Sequence, residues 1–243
     1  VYTERPPEPA LADRIACLWH QVCEADGTHL VVPDGCVDLI WGPGGPHVAG
    51  PDTGPMPAPM RAGDAYVGIR FKPGATGLVF GVPLSELRDQ RVPAAALDAL
   101  TAPLLTDPTA SLLGVPRLAG LDAVGAARML ALKAVVLARL RDTPAPDPAA
   151  PAIAAALRAG RTVAEVAWDL GYSERQLHRR TLAGFGYAPK TLQRVVRFQR
   201  ALRLARSGVP LAEVAASSGY TDQAHLSHDV KRLSGVSMTH LAA

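Results

Sequence analysis

Two patterns of apolar and polar positions divide this chain. In the first, short runs rich in β-branched and aromatic residues stand between clusters of glycine and proline: 28-THLVVP-33, 36-CVDLIWG-42 and 65-AYVGIRFKPG-74. Such runs predict strands, and together they place a small sheet or barrel over residues 15–80. The second pattern starts with 121-LDAVGAARMLALKAVVLARLR-141, which is free of proline and rich in Ala and Leu, and which stops at 142-DTPAPDPAAP-151. One helix followed by a hinge is the reading. Beyond Pro151 the apolar positions keep a helical spacing, broken at Gly160, Gly171, Gly184, Gly186, Gly208, Gly219 and Gly235. Seven short helices fit between those breaks. Proline agrees with the division, since 19 of the 22 precede residue 151 and exclude long helices there except between the breaks.

The helical part repeats itself. At an offset of 48 residues, 163-VAEVAWDLGYS-173 aligns with 211-LAEVAASSGYT-221, and the similarity resumes at an offset of 49 from Leu177 and Leu226. Each copy places AEVA on a short helix, Gly-Tyr at a tight connection, and Ser173 or Thr221 as the N-cap of the next helix. This is the arrangement of a helix-turn-helix unit. Gly171 and Gly219 can take a positive φ at which a side chain would cost about 1 kcal/mol or more, so two helices can meet at a steep angle. Thr162 with Glu165, and Ser173 with Gln176, have the spacing of capping boxes. The segment 189-PKTLQRVVRFQRALRLARSG-208 joins the two copies as one long helix.

Charge sharpens the picture. The net charge of +3 conceals 12 Lys plus Arg against 16 Asp plus Glu in residues 1–150, and 13 against 6 in residues 151–243. Eleven of those 13 basic residues are arginine. Arginine donates bidentate hydrogen bonds to phosphates and base edges, whereas a merely solvated surface could use lysine equally well.

With the duplication and its charge in view, AEVAWDLGYSERQLHRR, RVVRFQRALRLA and AEVAASSGYTDQAHLSHDVKRLSGVS resemble the AraC/XylS family of bacterial transcription regulators, whose DNA-binding module pairs two helix-turn-helix units across a linker helix. The resemblance covers about 90 residues. It implies a sequence-specific regulator that binds double-stranded DNA and contacts RNA polymerase, with a small-molecule effector and a homodimer as further expected partners. The N-terminal segments VPDGCVDLIWG, VAGPDTGP, VGIRFKPGA and GVPLSELRD are similar to a less characterised domain found on some members, and the resemblance supplies no ligand for it.

Helical geometry selects the reading faces, because residues three and four apart share a face. On the first reading helix Arg175, His178 and Arg179 form one stripe, coinciding with the family's base-contacting positions, while Leu177 points away. On the second, Leu226 and Val230 face the core and leave Ala224, Ser227, His228 and Lys231 outward with Gln223 at the edge. That stripe carries no arginine, so it is expected to read base edges less strongly. Lys190, Arg197, Arg200, Lys231 and Arg232 are placed for phosphates. Thr181 stands four residues after Leu177, where the family usually has a large apolar side chain, and it predicts looser packing in the first unit.

The first half offers weaker chemistry. Cys17, His20 and Cys23, with His29 and Cys36 nearby, are residue types that hold zinc. If 15-IACLWHQVC-23 is a strand, Cys17, Trp19 and Cys23 share one face and His20 takes the other; if it is a helix, Cys17 and His20 converge. Cysteine is also a small buried hydrophobe, so core packing is the bland alternative and no metal is expected. Asp34 and Asp38 flank Cys36 and suit a cation or a basic effector, although Asp34 before Gly35 is equally a turn signal. Asp38, Trp41 and Arg70 are the candidate effector residues, against the plainer readings of a local hydrogen bond, core packing and a salt bridge.

No P-loop, GxGxxG, HExxH or GxSxG motif occurs, so neither an enzyme nor a cofactor is expected. Two other readings stay open. One is a regulator coupled to a cysteine-based methyl acceptor or to metal or redox chemistry. The other is a constitutive DNA binder with a protein-interaction domain in front. Three cysteines are too few for a disulfide scaffold, no apolar run approaches the roughly 18 residues of a membrane span, and VYTERPPEP has no signal-peptide character. A cytoplasmic, non-membrane protein is expected. The fold class is multidomain: an α+β, β-rich N-terminal domain over 1–104, including a cupin-like barrel among its forms, a helical connector with a Pro-rich linker over 105–150, and an all-α double helix-turn-helix domain over 151–243.

Overall fold

The computed structural model describes residues 1–100 and 120–242. Its N-terminal part is β-rich. Strands β1 (Tyr2–Arg5), β2 (Ile15–Val22), β4 (Val37–Gly42), β5 (Gly45–Ala49), β7 (Ala65–Phe71) and β8 (Arg91–Pro93) form one antiparallel sheet in the order β1-β2-β7-β4-β5-β8. Strands β3 (Gly27–Val31) and β6 (Met56–Met60) pair separately as a ribbon. The strands thus make two sheets rather than one closed barrel. In β6 the sequence MPAPM turns Met56, Ala58 and Met60 inward and leaves Pro57 and Pro59 exposed, a placement open to proline because only an edge strand can spare the donor.

Period-two alternation gives the large sheet two different faces. On one, Val37, Leu39 and Trp41 of β4 join Val67, Ile69 and Phe71 of β7 in the main core. Helix α1 (Leu84–Leu87) contributes Leu84 and Leu87 to it, and α2 (Ala123–Asp142) covers it with Leu132, Val135 and Val136. The helix expected over 121–141 forms as Ala123–Asp142, capped by Asp122, whose side chain accepts from the Gly125 N–H at 2.7 Å. On the opposite face Asp38 and Ile40 stand beside Arg70 and Gly68, which in turn neighbour Cys17 and Trp19. Gly68 is required there, since a Cβ would overlap the Trp19 ring.

Seven helices follow Pro-rich residues 142–149: α3 (Ala150–Arg158), α4 (Val163–Asp169), α5 (Glu174–Phe185), α6 (Pro189–Arg206), α7 (Leu211–Ser217), α8 (Gln223–Ser234) and α9 (Met238–Ala242). They enclose two small cores, and α6 supplies both. Its N-terminal half gives Leu192, Val195 and Val196 to the core of α3–α5, and its C-terminal half gives Phe198, Ala201 and Leu202 to the core of α7–α9. The expected domain edge between residues 104 and 105 lies outside the described residues. Among the described residues no helix is long and apolar enough to cross a membrane.

Candidate nucleic-acid interface and cavity

Each reading helix is set by its cap. Thr162 and Glu165 form a reciprocal capping box on α4, and Ser173 and Gln176 form one on α5. The second unit differs from the sequence expectation: Asp222, not Thr221, caps α8, its carboxylate accepting from the His225 N–H at 2.7 Å. A carboxylate at that position also complements the positive end of the helix dipole. Gly171 and Gly219 have φ of +69° and +78°, as the tight connections require.

These caps and connections leave Arg175, His178 and Arg179 exposed along α5 while Leu177 is fully buried. On α8, Gln223, Ala224, Ser227, His228 and Lys231 are exposed, with Leu226 and Val230 buried. The Ser227 hydroxyl donates to the Gln223 carbonyl at 2.8 Å, so part of its capacity is spent within the helix. Thr181 is buried without exposure and donates its hydroxyl to the His178 carbonyl at 3.0 Å, which satisfies the polar atom where an apolar side chain was expected. Lys190 and Arg232 are exposed, and Arg200 is half-buried with Nη1 donating to the Arg158 carbonyl at 3.3 Å.

Arg197, expected at a phosphate, has partners within the fold. Its Nη2 lies 3.0 Å from the Asp229 carboxylate, and its guanidinium stacks 4.3 Å from the centroid of the Tyr220 ring. Tyr220 donates its hydroxyl to the same carboxylate at 3.2 Å, and Arg194 approaches it at 3.6 Å. Arg197 thus ties α6 to α8 and the Gly-Tyr turn. Sequence reasoning missed this cluster because Asp229, although it directly follows His228 of the polar stripe, sits on the buried side of α8.

The N-terminal part holds a cavity of about 630 Å³ between the large sheet and the β3–β6 ribbon. Alternation decides what lines it. Trp19, Asp38 and Arg70 face the cavity, whereas Trp41 lies on the opposite face of β4, 5% exposed in the main core, and is removed from the candidate effector set. Asp38 accepts from Trp19 Nε1 at 2.7 Å and from Arg70 Nε at 3.1 Å, and Arg70 also meets Glu4 at 3.5 Å. Burial pushes the Asp38 carboxyl up to about 6. Arg91, which the sequence did not single out, holds Asp52 through two hydrogen bonds of 2.9 and 2.7 Å.

Strand geometry at β2 resolves the cysteine alternatives: Cys17 and His20 lie on opposite faces, and among the described residues no group of His, Cys, Asp or Glu is arranged to hold a metal. Burial raises the Cys17 thiol to about 11 and keeps Cys36 well above its ordinary value, so neither carries thiolate character at neutral pH.

The loops at one end of the cavity also carry the helical part. Tyr187, fully buried after α5, donates its hydroxyl to the Asp52 carbonyl at 2.6 Å. Gly186, at φ +73°, lies so close that a Cβ would stand 2.9 Å from the Leu84 carbonyl and from Pro51. Arg88 donates to the Gly186 carbonyl at 3.3 Å, Gln199 of α6 donates to the Pro33 carbonyl at 2.7 Å, and Val32 packs on the core of the second unit.

Residues 166–243 match a family model described as a helix-turn-helix domain, and residues 3–93 match one described as a domain of unknown function (DUF6597). No curated protein matches the chain in sequence. Among solved structures, the C-terminal domain of AraT, a response regulator from Geobacillus stearothermophilus, is 24% identical over 40% of this chain and 84% of that one, with a TM-score of 0.37. ToxT from Vibrio cholerae is 10% identical over 99% of this chain and 97% of that one, at 0.47. The transcriptional regulator CdpR from Pseudomonas aeruginosa is 21% identical over 75% of this chain and 46% of that one, at 0.31.

Proposed function

We propose that this chain, whose C-terminal part is an AraC-type helix-turn-helix domain, is a sequence-specific DNA-binding transcription regulator. The observation that carries the reading is the pair of exposed polar stripes, Arg175/His178/Arg179 on α5 and Gln223/Ala224/Ser227/His228 on α8, presented by duplicated units on one shared helix. Arginine bidentate to guanine O6 and N7 is the commonest specific contact in the major groove, so the first unit reads most of the sequence. The second adds a weaker preference through His228, Gln223 and the thymine-methyl contact open to Ala224. Lys190, Arg200, Lys231 and Arg232 supply phosphate contacts. The two reading helices enter adjacent major grooves with centres about 34 Å apart, or less where the DNA bends.

Selection of bound DNA from a random pool tests this reading. The expected outcome is a bipartite motif with its stronger half assigned to α5. Equal recovery of all sequences overturns specificity.

The N-terminal part is read as the controlling element. In favour of ligand control over a constitutive binder is the sharing of loops: Asp34 and Asp52 line the cavity, while Pro33 and the Asp52 carbonyl hold α6 and Tyr187. A ligand that shifts either loop acts on the element that joins both units. RNA polymerase contact and dimerisation belong to the same reading as expected properties of such a regulator.

A further inference from the structure

We propose that the cavity between the two sheets binds a small organic cation, an amine with an aryl or alkyl body, anchored by Asp34. This deepens the ligand-controlled reading and rests on it. Three guanidiniums line the cavity, and the two carried by the large sheet, Arg70 and Arg91, are already paired with carboxylates. Arg70 is held by Asp38 and Glu4, Arg91 is held by both oxygens of Asp52, and Arg61 is exposed to solvent. An anion bound at Arg70 or Arg91 would have to displace a carboxylate from its arginine.

Asp34 is the opposite case. Asp34 lines the cavity and accepts from the Cys36 N–H at 2.8 Å; among the described residues it forms no ion pair, although it lies near enough to Arg70, which Asp38 already holds, to favour that guanidinium's charge. It stands close enough to Asp38 and Asp52 to raise both, burial being the larger cause in each. A ligand cation beside Asp34 relieves that mutual repulsion, where an anion worsens it.

The remaining wall suits the body of such a ligand. The rings of Tyr2 and Trp19 lie 5.8 Å apart, Tyr66 lies along the same face, and Met56 and Met60 of the ribbon bring polarisable sulfur from across the cavity. Aromatic faces attract a cation through the ring quadrupole, and thioethers adapt to irregular apolar shapes.

Three probes with one body and different charge test the proposal: 4-phenylbutylamine, 4-phenylbutanol and 4-phenylbutyrate, each titrated calorimetrically into the full chain. The amine is expected to bind at least tenfold tighter than the other two. Asp34→Asn keeps an acceptor for the Cys36 N–H, and it should bring the amine within about twofold of the alcohol. Ala58→Phe, which fills the cavity from the ribbon, should weaken all three. Tightest binding of the carboxylate overturns the proposal, as does an amine preference that survives Asp34→Asn, or no binding of any probe at millimolar concentration.

DNA titrations with and without the amine separate this class assignment from the reading beneath it. Amine binding that leaves DNA affinity unchanged upholds the cation site and removes ligand control. Carboxylate binding that shifts DNA affinity upholds ligand control and overturns the cation.

Discussion

Two arginines on the basic part differ in what surrounds them, and they should fail differently when removed. Arg179 is exposed on the reading stripe. Arg179→Ala should cost about 1 to 3 kcal/mol on the preferred site, relax one base position and change binding to random DNA much less. Arg197 is inside the fold on Asp229 and Tyr220. Arg197→Ala leaves a buried carboxylate with only the Tyr220 hydroxyl and the more distant Arg194, so it should lower folding stability by about 2 kcal/mol, a value discounted for the partial exposure of the pair. Chemical denaturation reads the first effect. The slope of log K against log salt should stay near its parent value, where a phosphate ligand would change it by about 1. Asp38 gives a pH signature. Its folded value of about 6 lies above the ordinary 3.8, so the native state retains a proton that the unfolded chain has lost. Its contribution is therefore fully present below about pH 4 and is lost as pH rises through about 6. The stability difference between the parent and Asp38→Asn, measured by denaturation, should fall across that window; a flat difference contradicts the burial argument.

At the scale of elements, the seven helices after residue 149, the helix over 121–141 and the main strands were legible because each depends on local signals: periodicity, glycine breaks and caps. The capping boxes of α4 and α5 form as their spacing predicts. Ser173→Ala should cost about 1 kcal/mol, because one N–H at the start of α5 loses its acceptor. The loss should appear as faster hydrogen exchange in the first turn of α5 with little change in α8, which has its own cap in Asp222. Two element-level details were not legible. Thr221 and Asp222 are both acceptable caps in sequence, and only the backbone path decides between them. The strand or helix ambiguity of residues 15–23 likewise needed neighbours, β1 and β7, to resolve it.

For the whole molecule, the decisive feature is the seat of the helical part on the loops of the β-rich part. Tyr187→Phe removes the hydroxyl that reaches the buried Asp52 carbonyl, and it should destabilise by about 1 to 2 kcal/mol because the carbonyl is left without a donor. If the contact couples the two parts, calorimetric unfolding of this variant should broaden or separate into two transitions, while a uniform shift of one transition denies the coupling.

The sequence by itself determined the duplicated helical units, the β-rich first part and which residues can stand on an exposed polar stripe, since these follow from spacing along a single element. Only the tertiary structure decided that Trp41 belongs to the core and Trp19 to the cavity, that Arg197 is committed to Asp229, and that Arg91 and Tyr187 converge on Asp52. Those facts concern which partner lies across from a residue, and the partners stand 19 to 135 positions apart: the Trp19–Asp38 and Tyr187–Asp52 hydrogen bonds span 19 and 135, and Arg197–Asp229 spans 32. Local periodicity gives a side chain its face, and the packing of one element on another determines what that face meets.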